Sequence, residues 1–277
     1  MNRNDALMLL IEEAHRGEFH FPTSAKLAIK IRQTLDDPNC HLEAAGKLIQ
    51  AEPLLAAQVI AIANSVAYNP GGREIADVRS ATARLGFQTL RTLAMAFVTR
   101  QMAGAPSSPE QQRLATALWE HTAHVAALCQ VIAAKSTKEN PDAALFAGLV
   151  HEIGGFYLLS RSAQYPVLLS TDAEAPGDID RRSVVNTLSL AVLRNLGVPA
   201  LVLTAVEQYA EGFVATPIAS IGDTLVAAEA VAPVPSPMHA ADAQPNEATQ
   251  ALDQAALETI LRESAAEVAS LAAALCA

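Results

Sequence analysis

A few histidines and acids in the sequence have the types and spacing that chemistry requires. His121 and His124 lie three residues apart, so both can face the same way on a helix, and His151 and Glu152 form an adjacent imidazole–carboxylate pair. Asp223 lies within another apolar stretch. Imidazole and carboxylate are the ligands that divalent metals use in phosphoester hydrolysis. The same residues also suit hydrogen-bonded groups in a helical core, and from residue types alone that interpretation is favoured over a metal site.

The surrounding sequence predicts helices throughout, because apolar residues recur with helical spacing and no segment alternates as a strand does. The composition breaks at 103–109, which contains two prolines and a glycine. We therefore expect an N-terminal helical lobe over 1–104 and a second helical lobe over 109–232. Pro-rich residues predict a flexible linker over 233–247, and an Ala-rich stretch predicts a helix over 248–277. The predicted fold class is all-α, a multi-helix bundle.

The composition supports this fold and excludes other classes of protein. Of 277 residues, 51% are hydrophobic, 4% are aromatic and 56 are alanine, which favours helix over a β-sandwich. The apolar runs are too short for a membrane span, and the N-terminal residues do not form a signal peptide pattern. The net charge of −10 argues against broad nucleic-acid binding. The three well-separated cysteines indicate a reducing cytoplasm.

One predicted helix, residues 54–63, is apolar nearly all round. A helix of this kind is usually buried on all sides. We therefore expect it at the centre of the bundle.

Several motifs, in order along the chain, resemble those of the HDOD family, the HD-related output domain of bacterial signalling proteins. The motifs are Glu52-Pro53-Leu54-Leu55, Ile62-Ala63-Asn64-Ser65 with Tyr68, Leu85-Gly86 through Arg91, Trp119-Glu120-His121, Phe146 through Gly154, and Leu196-Gly197-Val198-Pro199. The resemblance covers about residues 19–231. It implies that the second lobe is HD-like. It also implies a cytoplasmic, bacterial, regulatory signal-transduction module that contacts a signalling protein partner.

The resemblance also implies where a metal would bind. In HD phosphohydrolases, histidines and aspartates from several helices hold one or two metals, and the matching positions here are His121, His151, Glu152 and Asp223. Glutamate at 152 replaces the family's aspartate. It moves the carboxylate by roughly an ångström, whereas ligand geometry tolerates only ~0.2 Å.

Three further departures from the family pattern affect the same site. A glycine stands at 155 in place of a common lysine, a valine at 185 in place of a histidine, and Glu207-Gln208-Tyr209 in place of a His-His pair. We therefore expect a degenerate site with no catalytic residue and no resident cofactor beyond a weakly bound divalent metal. The alternative is a metal-dependent phosphohydrolase acting on nucleotides or cyclic dinucleotides, in which the metal activates water.

Four residues are candidates to line the seam between the two lobes, where a ligand or partner could be sensed: Asn64, Ser65, Tyr68 and Arg91. Asn64 and Ser65 equally suit the capping of a helix end. Arg91 suits either a surface charge or a buried partner of a second-lobe acid.

Residues 77–94 have the outline of a helix-turn-helix with a glycine, Gly86, at the bend. This outline leaves a DNA-binding regulator as a further alternative. However, its apolar residues predict a buried face, which favours a structural corner: Leu90, Leu93, Ala94 and Phe97.

The terminal segment, residues 233–277, contains six acids and one arginine and therefore carries half of the net charge. Its apolar residues follow a helical stripe. The stripe predicts either a last helix packed on the body or a partner-binding helix, including one that forms a homodimer.

Overall fold

A computed structural model describes residues 1–169, 179–212, 214–239 and 252–277. Within these residues the fold is helical and has no strand, which confirms the predicted all-α class. The first five helices are α1 Arg3–His15, α2 Thr23–Asp36, α3 Leu42–Gln50, α4 Pro53–Asn64 and α5 Val78–Gln101. The others are α6 Pro109–Ser136, α7 Pro141–Val150, α8 Ile153–Arg161, α9 Arg181–Asn195, α10 Ala200–Glu211, α11 Ile221–Val231, α12 Gln254–Glu263 and α13 Ala265–Cys276.

The longest helix, α6, begins at the predicted break in composition. Ser108 caps it by accepting a hydrogen bond from the backbone N–H of Gln111, and Pro109 occupies the first turn, where its missing N–H costs nothing. The helix α5 that precedes the break turns sharply at Gly86, whose φ of 72° and ψ of 171° are not helical. Glycine adopts this positive φ without strain.

The centre of the bundle is formed by α6 and α7, which approach each other closely. A Cβ atom at Gly148 of α7 would lie 2.5 Å from the Cα of Ala126 in α6, so only glycine fits there. The small residues at this contact, Gly148 and Ala126, therefore let the backbones of α6 and α7 come close together.

Helix α4, in contrast, does not lie at the centre. Leu55 and Val59 are buried, but Leu54 is 60% exposed. The prediction of burial on all sides was wrong. Apolar composition permits burial without enforcing it, because much of any folded surface is apolar.

The C-terminal region forms two helices, α12 and α13, where a single helix over 248–277 was predicted. Ser264 separates them, with φ −113° and ψ 14°. Helix α13 packs on α4 and α6. The carbonyl oxygen of Leu275 accepts hydrogen bonds from Gln58 Nε2 and from Trp119 Nε1, each at 3.1 Å. This contact corresponds to the first alternative for the tail, a helix packed on the body.

One described segment, Pro141–Arg161, is long and apolar enough to cross a membrane by length and composition, with a mean hydropathy of 1.4. In the most apolar 18-residue window of this stretch, 89% of the residues are buried inside the fold. It comprises α7 and α8, which pack against α6 and α9. The segment is therefore explained as part of the core.

Candidate metal centre

Four parts of the chain bring imidazoles and carboxylates together in the interior. His121 lies in the middle of α6, and His151 and Glu152 form the junction between α7 and α8. Glu229 lies in the last turn of α11, and His239 lies in the non-helical segment that follows. None of these five side chains, here called the His–Glu cluster, is more than 14% exposed.

Short distances connect all five members of the cluster. Glu229 Oε2 lies 3.1 Å from His121 Nε2 and 3.5 Å from His151 Nε2. Glu152 Oε2 lies 3.7 Å from His121 Nε2, and Glu152 Oε1 lies 3.0 Å from His239 Nε2. The other nitrogen of His239, Nδ1, lies 3.4 Å from Glu229 Oε1. Two buried carboxylates therefore lie among three imidazoles, and their charge must be balanced by protons or by a metal.

The histidine rings of α6 and α7 are oriented as metal ligands usually are. His121 Nδ1 lies 2.7 Å from the carbonyl oxygen of Val234, and His151 Nδ1 lies 2.7 Å from that of Gly148. A carbonyl oxygen only accepts, so each Nδ1 donates, and in the neutral ring each Nε2 keeps a lone pair. Metal-bound histidines commonly donate their second ring N–H in this way.

The unsatisfied atoms of the cluster fit a metal. His121 Nε2, His151 Nε2 and Glu229 Oε2 are buried without a hydrogen-bond partner among the described residues. Ligand atoms of these three residues lie within 4.8 Å of one another. Two imidazole nitrogens and a carboxylate oxygen suit zinc, manganese or iron. The residues present therefore fit a divalent metal.

Protons take the place of the metal in the metal-free cluster. Burial by itself lowers the pKa of His121, but contact with Glu229 and the charge of Glu152 raise that pKa to about 9. Burial raises the pKa of both carboxyls, yet the surrounding imidazoles hold the pKa of Glu229 well below its usual range and also lower that of Glu152. A protonated His121 therefore offsets one of the two carboxylate charges, and a bound divalent metal would displace this proton.

Residues 233–239, the first part of the predicted linker, lie across the cluster and are here called the cover segment. Ser236 is buried, and its Oγ donates towards the two oxygens of Glu152 at 2.9 and 2.8 Å. The carbonyl of Val234 holds His121, as described above. The described part of the predicted linker thus anchors itself through Ser236 and Met238 while Pro233 and Pro235 are exposed, and residues 240–247 lie outside the described residues.

Met238 anchors the end of the cover segment. It is 2% exposed and packs over Gly155 at the start of α8. A Cβ atom at Gly155 would lie 3.0 Å from Met238 Cγ and 3.2 Å from Leu118 Cδ2. The missing side chain at 155 therefore provides the space that Met238 fills.

The family model described as HDOD domain matches residues 21–185, more than half of the chain. This chain belongs to the HDOD family. The family resemblance of the sequence motifs is thereby confirmed.

Three solved structures share the fold of this HDOD protein. A candidate metal-dependent phosphohydrolase from Shewanella amazonensis SB2B has a TM-score of 0.69 and 19% identity and covers 99% of each chain. An HDOD domain protein with unknown function from Geobacter sulfurreducens has a TM-score of 0.62 and 18% identity, covering 98% of this chain and 97% of its own. A candidate signal transduction protein from Marinobacter aquaeolei VT8 has a TM-score of 0.56 and 18% identity, covering 99% of this chain and 61% of its own.

These identities are low, so the likeness establishes the fold and leaves the activity open. No curated protein matches the chain.

Asp223, predicted as a ligand from the HDOD resemblance, is not part of the His–Glu cluster. Its carboxylate instead caps the start of α11, and these hydrogen bonds lower its pKa against the effect of burial. The donors are Ala215 N, Ala219 N, Ser220 N and Gln208 Nε2, at 2.7–3.1 Å. His124 also lies outside the cluster, with Nδ1 2.8 Å from the carbonyl oxygen of Glu120.

Glu229, Ser236 and His239 belong to the site, but the sequence reasoning did not select them. Glu229 carried a usable signal, because it is the second acid of an otherwise apolar helix, α11. Ser236 and His239 carried none, because they lie in a Pro-rich stretch whose composition predicts a linker.

The four predicted seam residues have different roles. Tyr68 joins the segment after α4 to the first turn of α7, because its hydroxyl donates to Asp142 Oδ1 at 2.6 Å. Asn64 exchanges hydrogen bonds with the backbone of Ile75, and Ser65 donates to the carbonyl of Ile62. Both therefore fix the end of α4, as the capping interpretation predicts.

Arg91 is engaged within the N-terminal half of the chain. Its Nε donates to the carbonyl of Leu35 at 2.9 Å, and Asp36 lies 3.6 Å away. The apolar residues around it are buried: Leu90, Leu93, Ala94 and Phe97. These contacts favour the structural corner over DNA binding and show Arg91 paired with an acid of its own lobe.

We expect Tyr68→Phe to lower the free energy of unfolding by about 2 kcal/mol, because the variant removes a hydrogen bond to a half-buried carboxylate. Urea denaturation measures the loss. Tyr165→Phe is the matched control, since its hydroxyl has no hydrogen bond among the described residues, and we expect a change below about 0.5 kcal/mol. Equal losses in the two variants would show that the hydrogen bond between Tyr68 and Asp142 does not stabilise the fold.

Proposed function

We propose that this HDOD protein is a regulatory signal-transduction module that acts by binding a partner protein and does not hydrolyse phosphoesters. The observation that carries the proposal is the cover segment, residues 233–239. Ser236 and His239 contact the carboxylate of Glu152, and Met238 fills the space over Gly155. The position where a substrate phosphate would have to approach the cluster is thus filled by the protein's own chain.

The metal-binding side chains of the His–Glu cluster also support a role without hydrolysis. His121, His151 and Glu229 would hold a divalent metal, and Glu152 and His239 lie within 3.7 Å of these ligands. Structural metal sites are closed by protein ligands, whereas catalytic sites keep a position for water. The close packing of five protein side chains in the His–Glu cluster therefore favours a metal with a structural role over a metal with a catalytic role.

The free thiols support our proposal of a cytoplasmic location. Cys40, Cys129 and Cys276 are all free. Free thiols suit a reducing compartment, and we place the protein in the cytoplasm on this basis.

A second candidate function is a metal-dependent phosphohydrolase. The specific observation in its favour is the convergence of unsatisfied atoms on His121, His151 and Glu229. A bound metal would supply Lewis acidity and lower the pKa of a bound water. This function requires that the cover segment lift away from Glu152.

We expect the purified protein to show no turnover of bis(p-nitrophenyl) phosphate or of a cyclic dinucleotide with Mn²⁺, beyond the rate of the His151→Ala variant. The reason is that Ser236 and His239 already contact the carboxylate of Glu152, so this group is not free to bind a metal or to activate a water. Absorbance of released nitrophenolate and chromatography of nucleotides measure the product. Turnover that disappears in His151→Ala but persists in His124→Ala would contradict the proposal and establish the second candidate.

Two further measurements separate binding from hydrolysis. A metal held by the cluster raises the midpoint of thermal unfolding in the wild type and not in His151→Ala. In a strain lacking the gene, we expect a folded His151→Ala protein to restore the wild-type transcript profile as well as the wild-type protein does. Loss of complementation with unchanged folding would count against a purely binding role.

A further inference from the structure

A cavity that is separate from the His–Glu cluster opens on the opposite side of α6. Its volume is about 600 Å³, within the usual range for small-molecule sites. It lies between the end of α5, one face of α6, Phe156 of α8 and helix α13. Exposed side chains of α6, such as Gln112 and Thr116, line its edge, so the cavity reaches the surface.

The walls of this cavity combine apolar and polar surface. Trp119 and Phe156 form the aromatic part, with ring centroids 6.2 Å apart and planes at 67°. The α13 wall consists mainly of alanines, including Ala272 and Ala273. Alanine side chains leave space that larger residues would fill, so the row of small residues produces the cavity.

One cation in the cavity lacks a polar partner. The Arg100 guanidinium lies over the Trp119 ring, 5.5 Å from its centroid. It makes no ion pair or hydrogen bond within the part of the chain that the structure describes. A planar guanidinium has five N–H donors suited to a carboxylate or a similar oxyanion. An anionic group is therefore the complement that this position lacks.

Other polar groups restrict the charge of the occupant. The exposed carboxylate of Glu120 lies at the edge of the cavity and repels an anion of high charge. His124 lines the same wall, and its Nδ1 is already bonded to the Glu120 carbonyl. Glu120 therefore disfavours a ligand with more than one negative charge, while Arg100 offers donors for one oxyanion group.

We propose that this cavity binds a small amphipathic monoanion, whose apolar body lies against Trp119, Phe156 and the alanines of α13 and whose oxyanion group binds Arg100. The inference is independent of hydrolysis at the His–Glu cluster. Because α13 forms one wall, an occupant contacts α6 and α13 together and holds the C-terminal helix in place. The site thus gives the regulatory module a small-molecule input.

The test uses two fluorescent probes of similar shape. Anilinonaphthalene sulfonate carries an aromatic body and one anionic group, and N-phenyl-1-naphthylamine has the body without the charge. Trp119 is the chain's only tryptophan, so energy transfer from it reports that a probe is bound, and the substitutions below assign that binding to the cavity. We expect saturable one-site binding, with higher affinity for the sulfonate.

Substitutions then separate the two parts of the site. Arg100→Gln should weaken sulfonate binding about tenfold or more and leave the neutral probe unchanged. Arg113→Gln, at an exposed position of α6 outside the cavity, is the matched control and should change neither. An unchanged preference for the sulfonate in Arg100→Gln would overturn the assignment of Arg100.

Filling the cavity is the second arm of the test. Ala273→Leu should abolish binding of both probes while the circular dichroism spectrum stays that of the wild type. If this variant does not fold, Thr116→Leu fills the cavity from the opposite wall and should have the same effect. Undiminished energy transfer in a folded, filled variant would overturn the proposal.

Discussion

Replacing Gly154 by alanine is expected to lower the free energy of unfolding by about 3 kcal/mol. The added Cβ atom would lie 2.4 Å from the carbonyl oxygen of Val185 and 2.5 Å from the backbone nitrogen of Ser189. Backbone atoms cannot rotate away as a flexible side chain can, so α8 must move away from α9. The shift also strains the junction that holds His151 and Glu152.

The experiment compares urea and thermal unfolding of Gly154→Ala with those of Gly46→Ala. At Gly46, inside α3, the nearest atom to an added Cβ is Thr82 Oγ1 at an ordinary 3.7 Å. There alanine should stabilise the protein by about 0.5–1 kcal/mol, because it favours helix and restricts the unfolded chain. Destabilisation of the same size at both positions would show that the close approach of α8 and α9 is not what excludes alanine.

The second large effect concerns two ion pairs of equal length in different surroundings. Arg161 and Glu13 are 2.6 Å apart with side chains 5% and 12% exposed. Arg194 and Glu207 are also 2.6 Å apart, but their side chains are 54% and 37% exposed. Breaking a buried pair leaves one charge without a partner in the interior, whereas a surface pair is solvated on both sides.

We therefore expect Arg161→Ala to cost about 3–5 kcal/mol and Arg194→Ala less than about 1 kcal/mol. Arg161 also donates to the Tyr157 hydroxyl at 3.0 Å and lies over the rings of Tyr157 and Tyr165, which adds to its loss. Chemical denaturation of both variants gives the two values. Similar small losses would mean that α1 is not fixed to α8 through Arg161.

The fold class was predictable because composition and periodicity are properties of every helix in the chain. Burial of a particular helix was less predictable. The apolar stretch 54–63 was placed at the centre, yet Leu54 is 60% exposed, because α6 and α7 fill that position instead. Sequence pattern identifies an apolar face but does not state which other helix will cover it.

The site was predictable in part for a related reason. His121, His151 and Glu152 do come together, since motif spacing places them at matching points of neighbouring helices. On α11, Asp223 and Glu229 are six residues apart and therefore differ by about 120° around the helix axis. Only one of them can face the cluster, and the apolar residues on the other faces of this helix do not say which.

The cover segment lay beyond sequence reasoning altogether. Its prolines predict a linker. The burial of Ser236 depends on its hydrogen bond to Glu152, which lies 84 residues earlier in the chain, and the burial of Met238 depends on the space over Gly155. Such contacts are decided by tertiary packing.

The hydrogen bond between Gln58 and the carbonyl of Leu275 joins residues 217 positions apart. A ribosome adding about 5–20 residues per second needs roughly 10–40 s to synthesise the chain between them. During that time the face of α4 that receives α13 has no partner in its own chain. The apolar face of α4 therefore stays uncovered until the last helix has been synthesised. A chaperone that shields this face during translation would raise the yield of folded protein.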